Sequence, residues 1–117
     1  MDGVHHPVAP GRDGGGSLPV VTVFRSRLRE GVEEEYEPLA AQLLELAGAM
    51  EGFVDFKTFV ADDGERVSIV TFDGAQSHAA WRDDPRHRAA QRFGRERLYE
   101  SYRIAVCELI DERCFER

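Results

Sequence analysis

The chain has 117 residues, of which 42% are hydrophobic and 32% are charged, a composition typical of one soluble globular domain. Its formal net charge is −7 and it has no basic tract, so nucleic acid and anionic membranes are excluded as general partners. The sequence has no apolar run near the roughly 18 residues of a membrane helix, and its N-terminus lacks a signal-peptide pattern. These features predict a soluble, cytoplasmic protein.

Residues 1–17 are rich in Gly and Pro and offer almost nothing to bury, so we interpret them as a disordered tail before a single domain over residues 18–117. His5 and His6 in this tail are not interpreted as a metal site. Cys107 and Cys114 are seven residues apart near the end of one predicted strand, too far apart for a disulfide and without zinc-site spacing. This favours reduced thiols in an intracellular protein.

The first predicted strand is Val20 to Leu28, VVTVFRSRL, because it is β-branched and aromatic. Apolar residues then recur at spacings of three and four from Val32 to Met50, which predicts an amphipathic helix. Pro38 lies within this stripe, so the first turn is irregular or the main helix begins near Glu37. Gly52 is the predicted end of the helix.

Two further strands are predicted from Phe53 to Ala61 and from Arg66 to Asp73. They are joined by Asp62-Asp63-Gly64-Glu65, a strong hairpin signal.

Two short helices are predicted next. Asp73 followed by Gln76 resembles a capping box and opens a helix through Trp81. Asp84-Pro85 provides a cap and a proline at the first helical position of a helix to about Phe93, with Gly94 as its stop. Tyr99 to Ile110 is the last predicted strand.

The order βαββαβ predicts an α+β, ferredoxin-like fold with a four-stranded antiparallel sheet and helices on one face. The other face of such a sheet is ordinarily polar, yet here both faces are apolar. In the second strand, Phe53 and Phe59 are placed on one face and Val54, Phe56 and Val60 on the other; in the third, Val67 and Ile69 oppose Val70 and Phe72. Because an uncovered apolar face invites aggregation, we expect a symmetric homodimer to cover it.

The residues with reactive side chains concentrate between Ser77 and Arg103. This segment contains the only tryptophan, Trp81, which is either a core or pocket-wall residue or a catalytic one. His78 and His87 are candidate acids or bases, against the simpler reading of His87 as a surface residue. Tyr99 and Tyr102 differ by three in a strand, so they are expected to point to opposite faces, with at most one in any cavity.

The segment ERVSIVTFDGAQSHAAWRDDPRHRAAQRFGRERLYESYRIAVCEL resembles the antibiotic biosynthesis monooxygenase family, as do VFRSRLREG and EGFVDFK around the first long helix. The resemblance covers about residues 18 to 113. It implies a dimeric α/β barrel in which two four-stranded sheets close face to face.

The resemblance also implies a cofactor-independent monooxygenase that oxidises a phenolic or quinol-like small molecule with dioxygen, in a pocket with apolar walls and no metal. The catalytic residues it suggests are Trp81, with His87 or His78 as base. The substrate-binding candidates are Phe24, Arg25, Phe56, Phe72 and Tyr99.

Two alternatives remain open. A branch of the same superfamily degrades haem with an asparagine in the first strand, a tryptophan, and a histidine that ligates iron; Trp81 matches, but the other two positions hold Phe24 and Gln91. His87, one turn before Gln91, could ligate in a rearranged pocket. The other alternative is a non-catalytic dimer that binds a small molecule, which a pocket too small for an aromatic ring would favour.

Overall fold

A computed structural model describes residues 17–117 as a four-stranded sheet with helices on one face. The strands, in the order β2-β3-β1-β4, are antiparallel to their neighbours, which confirms the ferredoxin-like prediction. The elements in chain order are β1 (Val20–Leu28), α1 (Glu33–Gly48), β2 (Phe53–Val60), β3 (Arg66–Phe72), α2 (Ala75–Asp83), α3 (Pro85–Phe93), a π-helical turn (Gly94–Leu98) and β4 (Tyr99–Glu108).

The tail predicted for residues 1–17 lies outside the described residues except for Ser17, as do His5 and His6. The Ser17 hydroxyl accepts a hydrogen bond of 3.3 Å from the backbone N–H of Ala75, at the start of α2. Within residues 17–117, no helix is long and apolar enough to cross a membrane.

The predicted hairpin joins β2 to β3. The N–H of Ala61 donates to the carbonyl of Glu65 at 2.8 Å, and Gly64 takes a φ of +90°, which only glycine adopts without strain. The capping-box prediction was wrong: Gly74 is the N-cap of α2, and the Asp73 carboxylate instead accepts from the Ser77 hydroxyl at 2.7 Å.

Helix α1 begins at Glu33 and continues through Pro38, so it does not start near Glu37. A proline near a helix start removes a single backbone hydrogen bond, and the apolar stripe that follows compensates for that loss by packing on the sheet. The core that results joins α1 and α2 to β3 through Ala47, Val70, Phe72 and Trp81.

A β-bulge corrects the predicted faces of β2. Phe53 lies opposite Phe72 and Asp55 lies opposite Thr71, so Val54 is an extra residue without a partner. Phe53 therefore shares the helix-side face with Phe56, and Phe59 lies on the other face. The Phe53 ring contacts the Phe72 ring edge to face, with centroids 5.9 Å apart.

The face of the sheet away from the helices is apolar along β3, but it also carries charged side chains, because Arg25 pairs with Val67 and Lys57 pairs with Ile69. Val23 lies beside Ile69 on this face, and Phe59 lies beside Val67 with 50% of its surface exposed. Cys107 lies in β4, where it pairs with Val21 of β1, whereas Cys114 lies beyond the end of β4. Both thiols are free, but the two cysteines do not share a strand as predicted.

Candidate active site

A cavity of about 640 Å³ lies between the helix-side face of the sheet and the helices. Its volume falls in the range of small-molecule sites, and most of its walls are apolar. Its apolar lining includes Phe24, Phe56 and Val70 from the sheet and Leu39 and Leu43 from α1. The predicted site residues His78, Trp81, His87 and Tyr99 also line it.

Three stacked rings form one end of the cavity. The Trp81 indole lies on the Phe72 ring with centroids 5.9 Å apart, and the His87 imidazole lies on the indole at 3.9 Å with a 16° interplanar angle. Phe72 is fully buried beneath this arrangement, so it supports Trp81 and does not line the cavity. Here we call Phe72, Trp81 and His87 the ring stack.

The junction between α2 and α3 positions the histidine of the ring stack. The Asp84 carboxylate accepts from the backbone N–H of Arg86 at 2.8 Å, which confirms the predicted cap, and Pro85 opens the new helix. A hydrogen bond from the Arg86 guanidinium lowers the pKa of Asp84 to about 2, so the cap stays ionised. Because the chain turns at Asp84, His87 reaches back over Trp81.

The hydrogen bond of His87 determines its tautomer. Its Nδ1 lies 3.0 Å from the Trp81 carbonyl oxygen, and since a carbonyl can only accept, Nδ1 carries the proton. Nε2 is then the ring nitrogen with a free lone pair. Burial lowers the pKa of His87 below its usual 6.5, although the hydrogen bond to Trp81 acts in the opposite direction. His87 is therefore neutral near pH 7 and can accept a proton.

His78 enters the same cavity from α2. It is 8% exposed, and its Nε2 lies 3.4 Å from the Thr22 hydroxyl on β1. Burial, followed by the charge of Arg82, lowers its pKa. The structure thus brings both predicted histidines to one cavity and leaves Thr22, which sequence reasoning missed, as the partner of the second.

Phe24, Tyr99 and Tyr102 form an aromatic cluster at the other end of the cavity. The Phe24 ring centroid lies 5.4 Å from that of each tyrosine, and the two tyrosines are 5.7 Å apart. The prediction that Tyr99 and Tyr102 point to opposite faces was wrong. Tyr99 lies opposite Leu28 and Ser101 lies opposite Arg27, so Glu100 forms a bulge that returns both tyrosines to one face.

Gly94 lies beneath this aromatic cluster and is the C-cap of α3, as predicted. Its φ is −59°, and the backbone continues through the π-helical turn into β4. A Cβ at this position would lie 2.5 Å from the Tyr99 ring. Glycine is needed here for the close approach of that ring, not for its backbone freedom.

Tyr36 on α1 also lines the cavity and was not among the predicted site residues. It is 7% exposed, and the Arg66 guanidinium lies 4.8 Å from its ring centroid. The sequence placed Tyr36 on the predicted apolar stripe of α1, and that position indicated a core residue and not a site residue.

Arg25 lies away from the cavity, on the opposite face of the sheet. Its guanidinium donates two hydrogen bonds of 3.1 Å to the Glu65 carboxylate, an interaction that raises the pKa of Arg25. Of the predicted substrate-binding residues, the structure therefore brings together Phe24, Phe56 and Tyr99 but not Arg25 or Phe72.

The haem alternative can be compared with the same geometry. Phe24 has no hydrogen-bonding group and packs against both tyrosines of the aromatic cluster. Gln91 lines the cavity at the position where the haem-degrading branch has its iron ligand. These two residues do not fit a haem pocket of that kind. In the described part of the chain, no group of three or more His, Cys, Asp or Glu could hold a metal ion.

Comparison with known proteins identifies the family. Its model, described as antibiotic biosynthesis monooxygenase, matches residues 19–92, from the start of β1 to the end of α3. The chain belongs to the antibiotic biosynthesis monooxygenase family. The matched residues include Trp81 and His87 of the ring stack.

One sequence relative and two solved structures are similar to this monooxygenase-family chain. The uncharacterised protein YqjZ of Bacillus subtilis is 26% identical over 98 residues, which cover 84% of this chain and 86% of YqjZ. The structure of Rv0793 from Mycobacterium tuberculosis has a TM-score of 0.73 at 19% identity and covers 80% of this chain and 97% of that one. SnoaB, a cofactor-independent oxygenase from Streptomyces nogalater, has a TM-score of 0.68 at 17% identity, over 80% of this chain and 94% of SnoaB. At these identities the two structures show the shared fold alone.

Proposed function

We propose that the protein is a cofactor-independent monooxygenase that oxidises a phenolic or quinol-like small molecule. The observation that carries this proposal is the position of His87: its Nδ1 is held by the Trp81 carbonyl, which leaves Nε2 unprotonated, and the residue lines an apolar cavity. A neutral imidazole in such a place is suited to remove a phenolic proton. The resulting phenolate is electron-rich enough to react with dioxygen directly.

The overall reaction balances without another reactant. A phenol with one free ring position and one dioxygen molecule give a quinone and one water. One oxygen atom becomes the new ring carbonyl, and the other leaves as water with the hydrogens of the ring C–H and the phenolic O–H. In this scheme His87 moves the phenolic proton, while Trp81 and Phe56 form walls that orient the ring and exclude bulk water.

The dimensions of the cavity support a substrate-binding function. A volume of about 640 Å³ accommodates an aromatic ligand, and Trp81, Phe24 and Phe56 line the space without filling it. A filled pocket would have favoured the non-catalytic dimer. SnoaB, which shares the fold, is itself a cofactor-independent oxygenase, and this adds support for the proposed reaction.

Oxygen consumption tests this function. The EDTA-treated protein is mixed with mono- and dihydroxylated naphthalenes and anthracenes in an oxygen electrode, without flavin or metal. We expect uptake above autoxidation with at least one compound, and a lower rate for Trp81→Phe because the smaller ring no longer fills its place over Phe72 and beneath His87.

Phe115→Leu is the matched control, because Phe115 is 56% exposed and lies beyond β4; it should keep the full rate. Oxidation of no compound, together with equal behaviour of Trp81→Phe, would refute the function. Titration with haemin distinguishes the alternative, since a Soret band that disappears in His87→Ala would identify a haem protein.

The homodimer belongs to the same proposal. The sheet face opposite the cavity carries Val23, Val67, Ile69 and the half-exposed Phe59, and burial of each such side chain is worth about 1.5–3 kcal/mol. A second copy that presents the same face would cover these four apolar side chains with its own. This arrangement is the face-to-face barrel, and it leaves the cavity on the outside of each sheet.

Ile69→Glu tests this arrangement. A charge placed at the centre of the apolar face would be desolvated on association, so we expect the dissociation constant of the dimer to rise by at least about 100-fold in sedimentation experiments. Val106→Glu is the matched control, because Val106 lies on the cavity side of the sheet and is 56% exposed. Equal association of both variants and the wild type, or a monomeric wild type, would contradict the dimer.

A further inference from the structure

The end of the cavity remote from the ring stack also carries polar groups. Tyr36 and Tyr99 both line it there, and Arg66 lies over Tyr36. Arg66 and Phe72 are the two ends of β3, six residues apart, which corresponds to roughly 20 Å between their backbones. Since Tyr36 contacts the first and Trp81 contacts the second, the two polar ends lie along one elongated space.

The two tyrosines at this end are hydrogen-bond donors. Burial raises the pKa of Tyr99 to about 12. Burial also raises the pKa of Tyr36, and the opposing effect of the Arg66 charge is smaller. Both phenols therefore stay protonated at neutral pH.

The Arg66 charge is only partly neutralised. Its ion pair with Glu37 is 3.9 Å long, and the Glu37 side chain is 65% exposed. A guanidinium has donors only, so any contact with the Tyr36 oxygen leaves the phenolic proton free to donate to a ligand. Its positive charge also favours an electron-rich group beside Tyr36.

We infer that the Tyr36 and Tyr99 hydroxyls bind an acceptor oxygen, a carbonyl or a carboxylate, at the end of the substrate opposite the ring that is oxidised. The inference rests on the proposed function of the cavity and specifies the substrate class. An elongated fused-ring phenol fits, with its hydroxyl at His87, its apolar body against Phe24 and Phe56, and its acceptor oxygen at the two tyrosines.

Two ligands of nearly equal shape test the inference by calorimetric titration. 6-Acetyl-2-naphthol carries a phenol at one end and a carbonyl at the other, and 6-isopropyl-2-naphthol lacks only the acceptor. We expect the acetyl compound to bind about tenfold more tightly, the effect of one or two net hydrogen bonds. 6-Hydroxy-2-naphthoate provides the charged acceptor. The acceptor ligand that binds more tightly shows whether the site prefers a carbonyl or a carboxylate.

Tyr36→Phe and Tyr99→Phe connect the preference to this end of the cavity. At least one variant should reduce the preference to within about twofold while it keeps the affinity for 6-isopropyl-2-naphthol, which also shows that the variant is folded. Equal affinities of the wild type for the two shape-matched ligands, or an unchanged preference in both variants, would overturn the inference.

The same titrations separate this inference from the proposed function. If 6-isopropyl-2-naphthol binds and is oxidised but the acetyl compound has no advantage, only the acceptor site is refuted. If none of the three ligands binds, both the acceptor site and the proposed aromatic-binding function are refuted.

Discussion

His87→Gln is expected to lower kcat/KM for phenol oxidation by about 10²–10⁴-fold, the usual contribution of a positioned general base. Glutamine keeps a polar side chain of similar length but cannot accept a proton at neutral pH. Oxygen uptake under pseudo-first-order conditions measures the effect. KM should change less than kcat, because Trp81 and the aromatic walls that bind the ring remain in place.

The pH dependence gives a second measure of the same group. Since burial lowers the pKa of His87, the wild-type rate should stay high at pH 7 and fall as the pH drops through a value below 6.5, where the imidazole becomes protonated. This acidic limb should be absent in His87→Gln.

His78→Gln is the matched control, because His78 lines the same cavity and burial also lowers its pKa. We expect a loss below about tenfold and an acidic limb that persists, since the Nε2 of His78 already lies near the Thr22 hydroxyl. A larger loss in His78→Gln than in His87→Gln would assign the base to His78 and contradict the role given to His87.

The order of elements could be predicted because its signals are local. Gly64 identifies the hairpin, and Asp84 followed by Pro85 identifies the break between α2 and α3. The apolar outer face followed from the alternation in β3, where Val67 and Ile69 oppose Val70 and Phe72 as predicted. Each signal depends on neighbours within a few residues, so no knowledge of the tertiary structure was needed.

The bulges could not be predicted in the same way. Val54 and Glu100 each interrupt an edge strand, and their positions depend on how that strand registers with the next one. Because one extra residue reverses the face of everything beyond it, these bulges decide that Phe53 and Tyr99 point toward the helices. The aromatic end of the cavity was therefore incompletely predicted.

Arg25 is a different case, because the sequence contained the signal. Phe24 and Arg25 are adjacent in one strand, so they must point to opposite faces and cannot both line one cavity. The ion pair with Glu65, the residue immediately before β3, then accounts for the arginine. For Tyr36, by contrast, the sequence contained no such signal. Its candidate role in the site depends on Arg66, which lies over its ring only in the folded chain.

Phe72→Ala is expected to lower the free energy of unfolding by about 3–5 kcal/mol, the usual cost of deleting a buried phenylalanine ring. Phe72 has no exposed surface, and its ring contacts both Phe53 and Trp81. Alanine would leave a void beneath the indole that α2, fixed at both ends by its neighbours, cannot close by a small shift. Urea denaturation followed by Trp81 fluorescence, at one fixed protein concentration, measures the change.

Phe115→Ala is the control for the loss of a phenyl ring as such. Phe115 is 56% exposed beyond the last strand, so its removal should change the free energy of unfolding by less than about 0.5 kcal/mol. Equal effects of the two substitutions would contradict the supporting role given to Phe72. Since Trp81 carries both the stacked imidazole and the carbonyl that holds Nδ1, the void should also loosen His87. The folded fraction of Phe72→Ala should therefore also lose activity. This result would show that packing of Phe72 in the core positions the base, His87.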